Sequence, residues 1–421
     1  MTLVKALLFF CLSAGSFLFS QSYTEVLDTF YVPTPEYVTT LSLDSLHFPS
    51  AVTIPDGGSD FPVLILVHGS AALDKDANST KDYLDPGSGM IHKAQTRMFY
   101  EIADSLSRKG IIVLRYDKRS FTVNCIEQPA CWWADTIVPR DYIRDVHFAV
   151  EFAKTIPEAD TCNIFLAGHS QGGSFVNDVA RKRSDVRGVL FLAGTAQPID
   201  TVAVFQTLTV DSDASGAARM RSQFDSLRAG LWSMTDTLYQ SHYSPRFWLD
   251  WISITDSAVI TPQSTLLPTY FLYGDQDKFV PSATHMPIWT NALPTSDYDF
   301  HVFPDLDHSF GLESDSSIYG PVLDTLAAWI HRTRQACGPT SATAPNGFSA
   351  FDVYPNPVRD ILHVDQRLWG AEFEIHSAMG QEMMGGKVTK EGLELGKLPA
   401  GLYWISIQSR HGRFGKWILK P

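Results

Sequence analysis

Along the first three quarters of the chain, short runs of consecutive apolar residues alternate with longer stretches in which apolar residues recur every three or four positions. Residues 63–67 (VLILV) are apolar throughout. Successive strand side chains point to opposite faces, so such a run predicts a strand covered on both. Residues 98–106 carry helical spacing, ended by Lys109-Gly110. Residues 111–114 (IIVL) predict the next strand and residues 142–153 the next helix. Further strands are predicted at 163–167 (NIFLA), 188–192, 270–273 and 298–303 (YDFHVF), and a last helix at 322–334. Strands alternating with helices specify an α/β fold, a mostly parallel sheet with helices on both faces. Residues 199–262 interrupt the rhythm. They are rich in Trp, Tyr, Phe and Met with helical stretches, and predict an inserted lid. From residue 348 onward the period shortens to that of strands, at 351–354, 361–364, 373–375, 402–407 and 414–419, with turn signals between them. That pattern predicts a small all-β sandwich over residues 348–421.

Composition sharpens the division. Residues 338–347 (GPTSATAPNG) hold no charge and no large apolar side chain, as a linker does. It separates a 21–337 segment from the tail within the 421-residue chain. Residues 1–20 read as a secretory signal: Lys5 supplies the positive start, an apolar run follows, and Ser20 offers a small cleavage position. That run is too short to span a bilayer, and no later stretch does better, so no transmembrane segment is expected. The net charge of −13 argues against nucleic acid as a partner, because phosphate contacts need a basic surface. Four cysteines remain after the signal, in an oxidising compartment. Cys125 and Cys131 lie close enough in a polar loop to pair. Cys162 and Cys337 form the other expected pair, because the last helix should return the chain to the amino edge of the sheet where Cys162 lies. Neither pair has zinc-ligand spacing, and no metal or cofactor is implied.

The candidate chemistry centres on Gly168-His169-Ser170-Gln171-Gly172. This G-x-S-x-G string follows the strand NIFLA and precedes a helical pattern, the context in which a serine is held exposed on a sharp turn. A serine hydroxyl needs a base, and the base needs an orienting acid. In chain order the acid follows the serine and the histidine comes last. Asp277 follows the strand at 270–273, and His308 follows the strand at 298–303, so both fall at the carboxyl edge of the sheet beside Ser170. Asp275 is the competing acid. His301 is the competing base, although it lies inside a strand pattern where a packed side chain is expected. For an oxyanion, the backbone N–H of Gln171 is one expected donor and that of Ser70, after His68-Gly69, the other. The loop at 123–133, with Trp132 and Trp133, should lie at the rim. Trp232, Trp248 and Trp251 either line an acyl pocket or pack the lid core.

Residues 66–76 (LVHGSAALDKD) and 108–120 (RKGIIVLRYDKRS) resemble the α/β-hydrolases, over residues 42–336. They are similar to secreted bacterial hydrolases with an H-G-S-G-P-x-D-x-D loop, close to the acyl-CoA thioesterase, bile-acid acyltransferase and serine-aminopeptidase branches. The resemblance implies a serine hydrolase acting on an ester, thioester or amide in a small-molecule or peptide substrate. Acyl transfer and a non-catalytic surface binding role are the alternatives. Ala71-Ala72 stands where those relatives have Gly-Pro, and Asp74 and Asp76 match their loop-bracing acids. In the tail, YPNP (354–357), LPAGLYWI (398–405) and the terminal KWILKP resemble the sorting domain of the type IX secretion system of Bacteroidetes. That resemblance implies export through the secretion machinery, with release outside the cell or attachment to its surface.

Overall fold

The chain opens with an antiparallel strand pair, β1 (Tyr23–Pro33) and β2 (Ser45–Pro55), followed by β3 (Phe61–Val67). A second antiparallel pair, β4 (Asn78–Leu84) and β5 (Ile91–Arg97), leads into α1 (Met98–Ser107). Then come β6 (Ile112–Tyr116), the one-turn α2 (Arg119–Thr122), α3 (Pro139–Ala153), β7 (Ala159–His169), α4 (Gln171–Lys182) and β8 (Gly188–Leu192). Three helices, α5 (Ile199–Thr209), α6 (Ala214–Arg228) and α7 (Pro245–Thr255), precede β9 (Thr269–Gly274). A helix at Ser282–Ala292, β10 (Tyr298–Phe303) and a last helix at Gly320–Thr333 complete this part. The computed structural model describes residues 21–33, 45–84, 91–122, 137–233, 238, 243–256, 267–293, 298–312, 315–336, 353–354, 358–364, 368–377, 381–409 and 412–420. The expected signal (1–20), the linker (338–347), Cys125, Cys131, Trp132, Trp133 and Cys337 lie outside the described residues.

Apart from the β4–β5 pair, which is a sheet of its own, these strands form one sheet in the order β1-β2-β6-β3-β7-β8-β9-β10. From β6 to β10 every pairing is parallel, and β1 and β2 are antiparallel additions at one edge. The apolar run in β3 is continuous because it is buried on both sides. Val63, Ile65 and Val67 join the core built with α3 and α4, whereas Leu64 and Leu66 join the core built with α1 and the last helix. Burying each such side chain is worth about 1.5–3 kcal/mol relative to exposure. The β4–β5 pair was illegible in sequence, since NSTKDYL and IHKAQTR offer no apolar alternation. β1 was hidden for a related reason: most of its side chains face solvent.

β7 begins at Ala159, four residues earlier than expected, because Phe61 pairs with Ala159 before the register resumes at Val63 and Ile164. Cys162 therefore lies within the strand, and it is disulfide-bonded. The last helix ends at Thr333, and the chain after it is tied to β7: Asn163 and Gln335 exchange hydrogen bonds of 2.7 and 2.8 Å.

The tail contains two antiparallel sheets. One orders β11 (Val353–Tyr354), β12 (Ile361–Val364) and β15 (Leu393–Glu394); the other orders β14 (Glu382–Lys387), β13 (Glu372–Ser377), β16 (Gly401–Ser409) and β17 (Gly412–Lys420). Leu362 and Leu393 from the first share one core with Ile375, Ile405, Ile407 and Ile418 from the second, which makes the unit a sandwich. Among the described residues no helix is long and apolar enough to cross a membrane.

Candidate active site

Ser170 stands alone between the end of β7 and the start of α4, with φ 52° and ψ −117°. Few residues adopt this conformation, and one held in it presents its side chain away from both flanking elements. The glycines two positions either side are required by contact. A Cβ on Gly168 would lie 2.3 Å from the carbonyl oxygen of Gly172, and one on Gly172 would lie 2.3 Å from that of Val67. Both obstacles are backbone, which cannot rotate out of the way. The Ser170 N–H donates to the carbonyl of Leu192 at 2.8 Å, and the Gly173 N–H donates to the carbonyl of Ser170 at 3.0 Å. The turn is thus pinned to β8 and to its own helix.

Three residues past β9, the buried carboxylate of Asp277 lies 2.7 Å from Nδ1 of His308, in the loop after β10. Its other oxygen accepts from the N–H groups of Phe279 and Val280 at 2.8 and 2.9 Å. Burial alone would raise the Asp277 pKa, but the His308 charge, the bond from His308 and the two backbone N–H groups hold it below the ordinary carboxylate value. Asp277 is therefore ionised at neutral pH and fixes the donor at Nδ1, leaving Nε2 of His308 free to accept a proton. The His308 backbone is tied to the serine turn, since His169 Nε2 donates to its carbonyl at 3.0 Å. Burial and the neighbouring His308 depress the His169 pKa to about 3, so that ring stays neutral.

The competing residues are engaged elsewhere. Asp275 accepts from the backbone N–H of Asp305 at 2.7 Å and joins the β9 loop to the β10 loop. Those loops meet closely enough that a Cβ on Gly274 would lie 2.1 Å from the Leu306 carbonyl oxygen. The expectation that His301 is a packed side chain fails: it is exposed, because β10 is the outer strand of the sheet.

β3 pairs with β7 directly beside the turn, Val67 opposite Gly168. This brings the following loop against the serine: a Cβ on Gly69 would lie 3.1 Å from Ser170 Cβ and 3.0 Å from His169 Nδ1. A larger residue there would crowd the serine turn. Ala71, at the position where similar loops carry glycine, keeps a positive φ of 72°. The loop thus holds a glycine-type shape without the glycine. Among the described residues, neither the Ser70 N–H nor the Gln171 N–H donates a hydrogen bond. Asp74 and Asp76 brace the loop as expected. Asp74 accepts from the N–H groups of Asp76 and Asn78, and Asp76 pairs with Arg97 at 2.6 Å and Arg115 at 3.0 Å. Beneath the loop lies a residue the sequence reading passed over, the buried Lys118 two positions after β6. Its signals were its place in the run 108–120 and a charge two residues past an apolar strand.

Of the tryptophans, Trp248 and Trp251 are buried and stacked at 5.6 Å, with Phe224 and Phe247 edge-on to them, so these two pack the helices α6 and α7. Phe279 is exposed instead, its ring 5.3 Å from that of His308. Among the described residues no group of three or more His, Cys, Asp or Glu is arranged to hold a metal ion.

A serine on a strand-to-helix turn, above a mostly parallel sheet with helices on both faces, defines an α/β-hydrolase. Residues 89–315, more than half of the chain, match the family described as "Serine aminopeptidase, S33", and the chain belongs to that family. Residues 352–420 match the "Secretion system C-terminal sorting domain", which marks the protein for secretion and attachment at the cell surface. Esterase EstD of Thermotoga maritima is 32% identical over 173 residues, 40% of this chain and 36% of that one. The chain thus spans about a third of the length of that curated relative. Among solved structures, Est1E from Butyrivibrio proteoclasticus is similar at TM-score 0.45 and 13% identity, covering 72% of this chain and 98% of that one. The α/β hydrolase GrgF from a Penicillium species is similar at TM-score 0.45 and 16% identity, covering 73% and 99%.

Proposed function

We propose that the protein is a secreted serine hydrolase that cleaves an ester through an acyl-enzyme, with Ser170 as nucleophile, His308 as base and then acid, and Asp277 as orienting carboxylate. The observation that carries this reading is the 2.7 Å Asp277–His308 pair at the same sheet edge as the strained Ser170 turn. Ser170 Oγ attacks the acyl carbon while His308 Nε2 takes its proton. The oxyanion is received by the N–H groups of Ser70 and Gln171. Collapse of the tetrahedral intermediate breaks the bond to the leaving alcohol, which departs with the proton from His308. Water, deprotonated by the same imidazole, then releases the acid and restores Ser170. Helices α5 to α7 act as the cap over this site. The Gln206 side chain in α5 donates to the Phe279 carbonyl at 3.0 Å, so the cap is anchored on the acid's own loop.

The ester comes first because the curated relative is named an esterase, while the family description names an aminopeptidase. Thioesters and amides pass through the same intermediate, and an acceptor other than water would make the protein an acyltransferase. The test is to treat the secreted protein with a fluorophosphonate and to assay p-nitrophenyl esters beside aminoacyl anilides. We expect one labelled peptide, containing Ser170, and turnover of the esters. Turnover of anilides alone would make the protein a peptidase, and absence of labelling would remove the acyl-enzyme altogether.

We also read Cys337 as the disulfide partner of Cys162. The Asn163–Gln335 bonds hold the chain two residues before Cys337 against the residue after Cys162. In the chain-entropy model a loop of this length contributes about 5 kcal/mol. A non-reducing peptide map should show the two cysteine peptides linked; Cys162 linked to Cys125 or Cys131 would overturn the pairing.

A further inference from the structure

Two acceptors converge on the Lys118 ammonium beneath the nucleophile. Lys118 is buried, and its Nζ donates to the carbonyl oxygen of Gly69 at 2.5 Å and to Oε1 of Gln171 at 2.8 Å. The Tyr142 ring, 4.8 Å away, covers the remaining side of the nitrogen. Its own backbone is fixed as well, since the Lys118 N–H donates to the Leu73 carbonyl at 3.0 Å on the far side of the same loop.

The identity of the two acceptors is what matters. The Gly69 carbonyl and the Ser70 N–H belong to one peptide unit. In a planar trans peptide the C=O and N–H point in opposite directions. A cation that holds the carbonyl down therefore turns the Ser70 N–H up and away from it. The second acceptor is the side chain of Gln171, the residue whose backbone N–H is the other donor. One buried nitrogen thus bridges the two segments that carry the two unpaired N–H groups, β3's loop on one side and the start of α4 on the other. Two further facts give the bridge work to do. Ala71 holds a positive φ, which no glycine relieves, so the loop is under local strain that something must oppose. And an oxyanion donor is useful only when it is aimed before the charge develops.

We propose that Lys118 is a positioning residue of the oxyanion site: it fixes the Gly69–Ser70 peptide and the Gln171 segment so that both N–H groups converge on the acyl oxygen beside Ser170. The proposal rests on the reading of Ser170 as nucleophile. Lys118 itself touches neither substrate nor the reacting atoms. Burial lowers its pKa to about 7, yet the neutral amine retains two N–H donors for the same two acceptors, so the bridge holds in either state.

Lys118→Met, of similar length and without donors, tests it in the full-length chain with the p-nitrophenyl ester that the wild type turns over. We expect kcat to fall about 100-fold, within the range for loss of an oxyanion donor, with KM within threefold. Affinity for a trifluoromethyl ketone analogue of the tetrahedral intermediate should fall by the same factor. Fluorophosphonate should still label Ser170 in the variant, more slowly. Lys118→Arg, which restores donors, should recover part of kcat. A folded Met variant with kcat and analogue affinity within threefold of wild type overturns the proposal while leaving the nucleophile in place. A rise in KM at constant kcat also overturns it, by making Lys118 a substrate contact. Should Lys118→Met not fold, Lys118→Leu, also without donors, is read by the same criteria. A wild type that fluorophosphonate does not label sinks both readings together.

Discussion

Ser170→Ala should lower kcat for ester hydrolysis by about 10⁶-fold and abolish fluorophosphonate labelling, while the melting temperature changes little. The size follows from losing the nucleophile of a unit that works only when complete; what remains is binding and the oxyanion donors. Stability should hold because the hydroxyl is the only group removed. The strained backbone at φ 52° stays, since the bonds that hold the turn, Ser170 N–H to the Leu192 carbonyl and Gly173 N–H to the Ser170 carbonyl, are backbone bonds that alanine keeps. Steady-state kinetics beside a thermal melt checks both halves. Undiminished turnover would remove Ser170 from the mechanism.

Asp277→Asn should cost about 10⁴-fold in kcat, because an amide in place of the carboxylate favours the wrong His308 tautomer. In the wild type, one Asp277 oxygen accepts from His308 and the other from two backbone N–H groups. An asparagine oriented to keep the backbone bonds turns its NH₂ toward Nδ1, which moves the ring proton to Nε2, where a proton is useless for attack. Asp275→Asn is the control. Its carboxylate binds the Asp305 N–H and faces no imidazole, so a loss under tenfold is expected. Reversal of the two results would exchange the residues' roles.

The inner parallel strands were legible because burial on both faces makes their runs nearly all apolar; residues 188–192 match β8 residue for residue. The placement of Ser170, Asp277 and His308 at one sheet edge was legible for a different reason. Each falls just after such a strand, and a parallel sheet collects all those positions on one edge. The antiparallel strands β1, β4 and β5 were not: most β1 side chains face solvent, which thins its apolar pattern, and β4 and β5 carry no apolar alternation. Lys118 was invisible for a third reason. A lysine after a strand reads as an exposed charge, and only the packed structure reveals the carbonyl and amide that draw it inside. Whether Trp248 and Trp251 line a pocket or pack helices was equally beyond composition, since both uses want the same side chain.

Helices α5, α6 and α7 leave the sheet after β8 and return to it at β9, its immediate parallel neighbour. The whole excursion is therefore a detour between two adjacent points of an otherwise closed scaffold, and none of the residues proposed for the bond-breaking step lies on it. Selectivity and reactivity are in this sense modular. A lineage can trade one detour for another, and with it the range of molecules admitted, without disturbing the sheet edge that carries Ser170, Asp277 and His308.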